Sequence, residues 1–291
     1  MAQIVGIGIA TLDIINVTDG FPTEDAEVRA ESQRIARGGN VSNSLVVLSQ
    51  LGHQCRWGGT LGDDSAGELI RQDLQRYAIG MDGVRSITGG HTPISYITLN
   101  RNNGSRTIVH YRDLPEYGFE DFQSLSLDQA DWLHFEGRNV EQVRAMMSAA
   151  RQRYPQLPIS VEIEKPRPAI ENLWQDADVL LFSRHYARAT AHRSAHALLQ
   201  AVHDTLADSP RIPRLVCTWG EQGAFALEQG EFLHAPAVAS KHVIDTIGAG
   251  DTFNAGFIHA CLQSTDTLTA LEQACLLASK KCAQHGFDEL V

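Results

Sequence analysis

Short apolar runs alternate with helical stretches along most of the chain, and this alternation restricts the folds that it can adopt. The runs lie at residues 4–10, 132–135, 159–163, 179–182 and 215–218. Each has the length and apolarity of a buried strand, and segments such as 41–51, with one apolar helical face, separate them. Parallel strands need such crossover connections. The sequence therefore predicts an α/β fold: a doubly wound, mostly parallel sheet flanked by helices, with ligands at the carboxyl ends of its strands.

Two other segments alternate apolar and polar residues, and each contains a turn. The first, at about 12–37, turns near Asp19-Gly20, and the second, at 93–112, turns at Asn102-Asn103-Gly104. These two hairpins predict a small separate β-sheet with one face free to cover a ligand or a partner subunit. We therefore expect a single domain over residues 1–291 with a lid formed by the two insertions.

Charge and cysteine content exclude several classes of protein. The formal net charge of -11 at pH 7 repels nucleic acid and anionic lipid, so neither is expected as a partner. Five cysteines without a C-x-x-C pair indicate neither a disulfide framework nor a zinc knuckle. The N-terminal residues contain no basic segment and no apolar run of the length of a signal peptide or membrane span. We expect a cytoplasmic protein.

A glycine-rich turn that leads into a helix lies at residues 245–252, with the sequence DTIGAGDT. Its small residues Gly248, Ala249 and Gly250 would let a phosphate approach the backbone N–H groups, and the helix N-terminus adds roughly half a positive charge. Asp251 would then lie beside an anion hole, where it could take the proton of an attacking hydroxyl. On local sequence alone, Asp251 could instead order the helix end. No Gly-Lys-Ser/Thr follows, so this is not a Walker A loop.

A second glycine-containing turn opens the 41–51 helix. Gly38 and Gly39 permit close approach of a ligand, and the amides of Asn40 and Asn43 can both donate to and accept from sugar hydroxyls. A glycine turn with an asparagine N-cap is the alternative. Asp13, just after the first apolar run, could bind two adjacent sugar hydroxyls.

The Gly220–Gly223 stretch follows the run that ends at Thr218. Its glycines suit the phosphates or ribose of a nucleotide, and a plain turn explains them nearly as well. A dinucleotide-binding interpretation of Gly6-x-Gly8 is weak, because position 11 is Thr and a hairpin rather than a helix follows.

The Gly38-Gly39-Asn40 turn and the 245–251 stretch resemble the two signatures of the ribokinase-like (PfkB) carbohydrate kinases. The resemblance covers essentially the whole chain. Further matching segments are 21–25, 103–108, 136–139, 161–167, 280–282 and 286–288.

This resemblance implies ATP-dependent phosphorylation of a ketohexose such as fructose at its C1 hydroxyl. It also implies Mg²⁺ as a cofactor, and it leaves a dependence on K⁺ open. The sugar would be held by Asp13, Gly39, Asn40, Asn43 and the base Asp251. The nucleotide would be bound by Arg106, Gly220, Glu221, Gln222, Gly223, Gly248, Ala249, Gly250, Phe253 and Cys282. It also implies a homodimer in which two lids clasp each other and Asp25 touches the neighbour's sugar.

One departure from the family concerns the metal. Many members carry Asn-x-x-Glu after the strand that here ends at Phe182, where this chain has Ser183-Arg184-His185-Tyr186. We therefore expect the phosphates and water to hold Mg²⁺, and protein ligands stay unassigned.

Other functions remain open on the sequence. The acceptor could be ribose, another ketose or a nucleoside, whose base would need an aromatic lid contact such as Tyr96 or Tyr111. A non-catalytic sugar-binding regulator is disfavoured by the intact base and anion hole. A nicotinamide-dependent dehydrogenase has the least support of these alternatives.

Overall fold

Thirteen strands and eight α-helices make up the computed structural model, which describes residues 1–238 and 243–291. The strands are β1 (Gln3–Ile7), β2 (Thr11–Thr18), β3 (Ser32–Gly38), β4 (Gln54–Gly62), β5 (Gly80–Ile87), β6 (Ile94–Asn100), β7 (Arg106–Tyr111), β8 (Trp132–Glu136), β9 (Ile159–Ile163), β10 (Val179–Ser183), β11 (Arg214–Thr218), β12 (Ala224–Glu228) and β13 (Glu231–Ala235). The helices are α1 (Asn40–Gln50), α2 (Ser65–Arg76), α3 (Phe119–Gln123), α4 (Val140–Arg153), α5 (Arg184–Ala189), α6 (Ala195–Thr205), α7 (Ala249–Leu262) and α8 (Thr267–Cys282). No helix in these two ranges combines the length and apolarity that crossing a membrane requires.

The larger sheet has nine strands in the order β13-β12-β11-β10-β9-β8-β1-β4-β5. Seven of them run parallel, and the β12–β13 hairpin adds an antiparallel edge. One apolar core packs α1, α2, α7 and α8 on one face of the sheet, and a second core packs α3, α4 and α6 on the other. The predicted doubly wound, mostly parallel sheet is therefore confirmed.

The chain changes direction within this sheet next to β1. From β1 it builds β4 and β5 on one side, and it later builds β8 to β11 on the other side. The loops that leave the carboxyl ends of β1 and β8 therefore run in opposite directions along the sheet. A crevice at such a switch point is where open α/β sheets bind ligands.

The smaller sheet has four strands in the order β3-β2-β6-β7, as the two alternating segments predicted. Strands β2 and β6 pair in parallel, and each forms an antiparallel pair with its own hairpin partner. The second strand of the first hairpin starts only at Ser32, so a long connection rather than a tight turn separates β2 from β3. Since successive side chains alternate across a strand, Ser95 and His110 face one side while Tyr96 and Val109 face the other.

Candidate active site

A cavity of about 500 Å³ lies at the carboxyl ends of the parallel strands, below the smaller sheet. Ile9, Glu136, Glu162, Ser183 and Thr218 bring the ends of five neighbouring strands of the large sheet, β1 and β8 to β11, to its wall. The first turns of α1 and α7 complete the wall, and inward-facing residues of the small sheet cover it. The cavity therefore occupies the crevice that the sheet topology predicts.

A larger cavity, of about 870 Å³, opens at the opposite ends of the same strands. Its arginines are already paired, since Arg151 contacts Asp178 at 2.6 Å and Arg214 contacts Glu228 at 2.8 Å. Arg151 also donates to backbone carbonyls beyond the end of α4. These charges satisfy groups of the protein itself, so the smaller cavity is the candidate site.

Helix α7 starts at the cavity with its N-terminus pointing inward. Its N-cap, Gly248, has φ +79° and is pressed against Phe287, where a Cβ atom would lie 2.3 Å from the ring. Only glycine fits this left-handed, crowded position. Gly248, Gly250 and Asp251 line the cavity, and Ala249 lies between them in the first turn. The local sequence thus directs helix N–H groups and one carboxyl group into the same space.

Asp251 is a buried carboxyl group held by a neighbouring helix. Its Oδ2 accepts a 2.6 Å hydrogen bond from Nδ2 of Asn43, and its backbone oxygen accepts one of 2.9 Å from Ser44. Within the described ranges its side chain thus bonds to α1 rather than to its own helix end, which removes the support for a capping role.

The surroundings of Asp251 shift its protonation. Burial raises the pKa of Asp251 to about 7, and the charges of Glu164 and Glu136 act in the same direction, while the Asn43 hydrogen bond and Arg37 act against it. Burial and the Asp251 charge also raise the pKa of Glu162 well above its ordinary range. A carboxyl group with a pKa near neutrality is suited to general-base catalysis.

Asn40 does not cap α1, so the N-cap alternative is wrong. Gly39 is the N-cap residue, and Nδ2 of Asn40 donates instead to Oε2 of Glu164 at 3.2 Å. The amides of Asn40 and Asn43 therefore both lie in the cavity wall.

Asp13 lies on β2 and reaches the same cavity from the small sheet. Its Oδ1 accepts a 2.7 Å hydrogen bond from the hydroxyl of Thr11. Burial raises the pKa of Asp13, and hydrogen bonds from Thr11 and Ser95 partly offset this rise. Gly38 makes room for the carboxyl group, since a Cβ atom at position 38 would lie 2.2 Å from Oδ2 of Asp13.

The predicted nucleotide residues divide into two groups. Arg106 lines the cavity and its Nη1 donates to the hydroxyl of Thr246 at 3.3 Å, directly beside the glycine turn. Phe253 is buried in the core, and Cys282 ends α8, where its carbonyl accepts the N–H groups of Ile244 and Asp245.

The Gly220–Gly223 turn follows Thr218, which lines the cavity. Glu221 pairs with Arg184 at 2.8 Å. These four residues, Phe253 and Cys282 are not part of the cavity wall among the described residues, and their contact with a nucleotide stays a prediction.

Six charged residues of the cavity wall have no role predicted from the sequence. They are Glu136, Glu162, Glu164, Arg138, Lys165 and Arg167. Glu136 ends β8, and Glu162 lies next to the last residue of β9, so a charged residue at the end of an apolar run was the available signal. In residues 1–238 and 243–291, no three His, Cys, Asp or Glu side chains gather as metal ligands would.

Neither Tyr96 nor Tyr111 reaches the cavity of its own chain to supply the aromatic contact considered for a nucleoside. Tyr96 and Tyr111 are 49% and 54% exposed and are absent from the cavity wall among the described residues, whereas their neighbours Ser95 and His110 line it. The alternation of side chains along β6 and β7 places the tyrosines on the outer face.

The sequence matches the model of the pfkB family of carbohydrate kinases over residues 1–290. The chain therefore belongs to this family and is a carbohydrate kinase. It is 38% identical to ketohexokinase of Mus musculus, an alignment that covers 99% of each chain. It is also 25% identical to an ATP-dependent ribose-1-phosphate kinase of Halopiger xanaduensis, over 98% of this chain and 94% of that one.

Solved structures share the fold. An Arabidopsis thaliana ribokinase complexed with ribose and ATP superposes with a TM-score of 0.80 at 21% identity, over 98% of this chain and 94% of that one. A putative ribokinase from Agrobacterium tumefaciens gives a TM-score of 0.82, also at 21% identity, over 98% and 92%. The predicted family and ribokinase-like fold are thereby confirmed.

Proposed function

We propose that this kinase transfers the γ-phosphoryl group of ATP to the C1 hydroxyl of a ketohexose such as fructose, with Asp251 as general base. The observation that carries this proposal is the 2.6 Å hydrogen bond from Asn43 to Asp251, since it joins the glycine-asparagine segment and the carboxyl group at one cavity wall. The 38% identity to a ketohexokinase supports the choice of sugar.

The proposed reaction is a direct transfer between two oxygen atoms. The sugar C1 oxygen forms a bond to the γ-phosphorus while the bond from that phosphorus to the bridging oxygen of ADP breaks, and Asp251 takes the hydroxyl proton. The N–H groups of Gly248, Ala249 and Gly250 stabilise charge on the transferred group, and Arg106 adds a positive charge on the lid side. Mg²⁺ would enter with the nucleotide as Mg·ATP and neutralise charge on its phosphates, and its protein ligands stay unassigned.

We assign sugar binding to polar groups of β2 and of the first turn of α1. The Asp13 carboxyl group can accept from two adjacent hydroxyls, and the amides of Asn40 and Asn43 can donate to or accept from others. Gly39 contributes backbone groups where α1 begins. A neutral, hydroxyl-rich acceptor suits this set.

We further propose a homodimer in which the outer faces of two small sheets pack together. Strand register aligns Ile35, Ile14, Tyr96 and Val109 in one row across all four strands. Ile35 is 55% and Val109 is 66% exposed, an apolar patch of the kind that marks association surfaces. Light scattering on the wild type and on V109E tests this, with a dimer expected for the first and a monomer for the second.

An acceptor panel tests the substrate. Initial rates of ADP release should be compared for fructose, other ketoses, ribose, a fructosamine and a nucleoside, with the Asp251→Asn variant as the blank. The proposal expects fructose or a close ketohexose to give the highest kcat/KM. A higher value for ribose or a nucleoside would contradict the proposed acceptor and leave the assignment as a kinase unchanged. The same assay with Na⁺ in place of K⁺ decides the cation dependence.

A further inference from the structure

We infer that Asp245 couples the lid to the anion-hole turn, held between a buried cation, Lys281, and a lid cation, Arg34. This inference concerns the site of the proposed function and rests on it. All three are positioning residues, since each would act through the backbone of the glycine turn.

Asp245 shapes the turn that precedes α7. Its Oδ1 accepts a 2.9 Å hydrogen bond from the N–H group of Ile247, directly before the N-cap Gly248. A side chain that bonds to the backbone two residues ahead fixes a turn, as aspartate commonly does. A change in the orientation of Asp245 would therefore change where the N–H groups of residues 248–250 point.

Lys281 holds the other oxygen of this carboxylate from inside the protein. It is fully buried, and its Nζ lies 3.5 Å from Oδ2 of Asp245. It also donates to the backbone oxygens of Asp245 and Gln284 at 3.3 Å each. Burying an ammonium group is costly unless it is paired and hydrogen-bonded. These contacts therefore offset the cost of burying the charge of Lys281.

Arg34 reaches the same oxygen from the lid. It belongs to β3, and its Nη2 lies 2.6 Å from Oδ2 of Asp245, with the arginine side chain 27% exposed. Burial alone would raise the pKa of Asp245, but Lys281 and Arg34 keep this pKa below its usual range. His285 is the third basic group near this carboxylate, at 3.8 Å on the solvent side.

The two cations have different consequences because they come from different parts of the fold. Lys281 and Asp245 both lie outside the lid, so their contact does not depend on where the lid sits. The Arg34 contact exists only when the lid lies against the turn, as does the contact of Arg106 with Thr246. Seating the lid thus brings a second cation to Asp245 and fixes the anion hole at the same time.

Arg34→Met is the main test, with Arg101→Gln as the matched control. Arg101 is also a lid arginine, but its partners are Asp19 and Glu31 of the lid itself. R34M should lower kcat/KM for ATP on the order of tenfold, the usual effect of losing a hydrogen bond between charged groups. R101Q should stay within about twofold of the wild type, as expected for an exposed ion pair.

A double-mutant cycle with Asp245→Asn separates coupling from simple destabilisation. Asparagine can still accept from the Ile247 N–H group, so D245N keeps the turn bond while losing the charge. Once that charge is gone, adding R34M should have little further effect on kcat/KM for ATP.

Nucleotide affinity, measured by calorimetry with ADP, gives a readout that needs no sugar acceptor. Wild type that binds ADP but phosphorylates no sugar would contradict the proposed function, and the cycle would still test the coupling. Equal effects of R34M and R101Q, or strict additivity of R34M and D245N, would overturn the inference. A loss of thermal stability with unchanged ATP kinetics would also overturn it.

Discussion

Nδ2 of Asn43 donates a 2.6 Å hydrogen bond to Oδ2 of Asp251, and the two residues are separated by 208 positions in the chain. The bond connects the first turn of α1 with the first turn of α7, and both helix starts lie at the carboxyl edge of the large sheet. It therefore fixes the orientation of the carboxyl group that we propose as the base. It also brings together the two segments on which the family resemblance rests.

Replacing Asp251 with Asn should separate catalysis from stability. We expect kcat to fall by about 10²- to 10⁴-fold, the usual contribution of a general base. Because the pKa of Asp251 is raised from 3.8 to about 7, keeping this buried carboxyl ionised at neutral pH costs folding free energy. D251N should therefore be more stable than the wild type at pH 7 and above, by about 1 to 4 kcal/mol.

This stabilisation should shrink as the pH falls from 7 toward 4, because the folded carboxyl becomes protonated, and it should vanish well below pH 3.8, where the unfolded one is protonated too. Urea unfolding across that pH range measures it. A D251N variant that is less stable at pH 8 would contradict the assigned burial cost.

The pH dependence of turnover should follow the same group. The base must be deprotonated, so kcat/KM for the sugar should fall as the pH drops below about 7. The Asn43 hydrogen bond favours the charged form, and Asn43→Leu should therefore raise the pKa of Asp251 and move the decline to higher pH. Rate profiles of both proteins at saturating ATP measure this shift. An unchanged midpoint would show that Asn43 does not act on the base.

The two glycines of the anion hole should respond differently to alanine. A Cβ atom at position 250 meets no protein atom within 4 Å, whereas one at position 248 would clash with Phe287. Gly250→Ala should keep the wild-type melting temperature and raise KM for ATP, because its methyl group would obstruct only the phosphates. Gly248→Ala should lose stability as well, by about 1 kcal/mol or more. Thermal melts beside ATP kinetics distinguish them, and equal melting losses would contradict the assignment.

Asp25 offers a test of the proposed dimer. It lies in the exposed connection between β2 and β3, outside the cavity wall of its own chain among the described residues. If it acts on the neighbour's sugar, D25N and D251N chains combined in one heterodimer should form one intact site. Co-expressed, doubly tagged heterodimers should then be more active than either parent homodimer. Activity no higher than that of D25N alone would place Asp25 outside the neighbour's site.

Much of the fold could be predicted because the strands of a parallel sheet are apolar on both faces. Strand β9 has the bounds predicted for it, Ile159–Ile163, since its run is uninterrupted. Strand β4 was missed because Arg56 and several glycines break its pattern, although Trp57 within it is fully buried. A run of residues cannot reveal which strand ends become neighbours, so the matching segments 136–139 and 161–167 did not predict that Glu136 and Glu162 line the cavity.

The site was predictable where glycine marks a backbone constraint, and less so elsewhere. The sequence predicts that Gly38 makes room for a ligand, but a Cβ atom there would lie closest to the carboxyl group of Asp13. The parity of side chains on β6 decides which residues face the cavity, and the sequence alone did not show that Tyr96 faces outward. The Arg34–Asp245 contact joins residues 211 positions apart and depends entirely on how the lid sits.

The identity of the product tests the central claim most directly. Purified enzyme, fructose and Mg·ATP should be allowed to react, and the product analysed by two-dimensional ¹H–³¹P NMR beside a parallel reaction with D251N. We predict a single sugar phosphate whose phosphorus couples to the C1 protons, and no product from D251N above background. Phosphate on another carbon, or product formation by D251N at a rate near that of the wild type, would contradict the account.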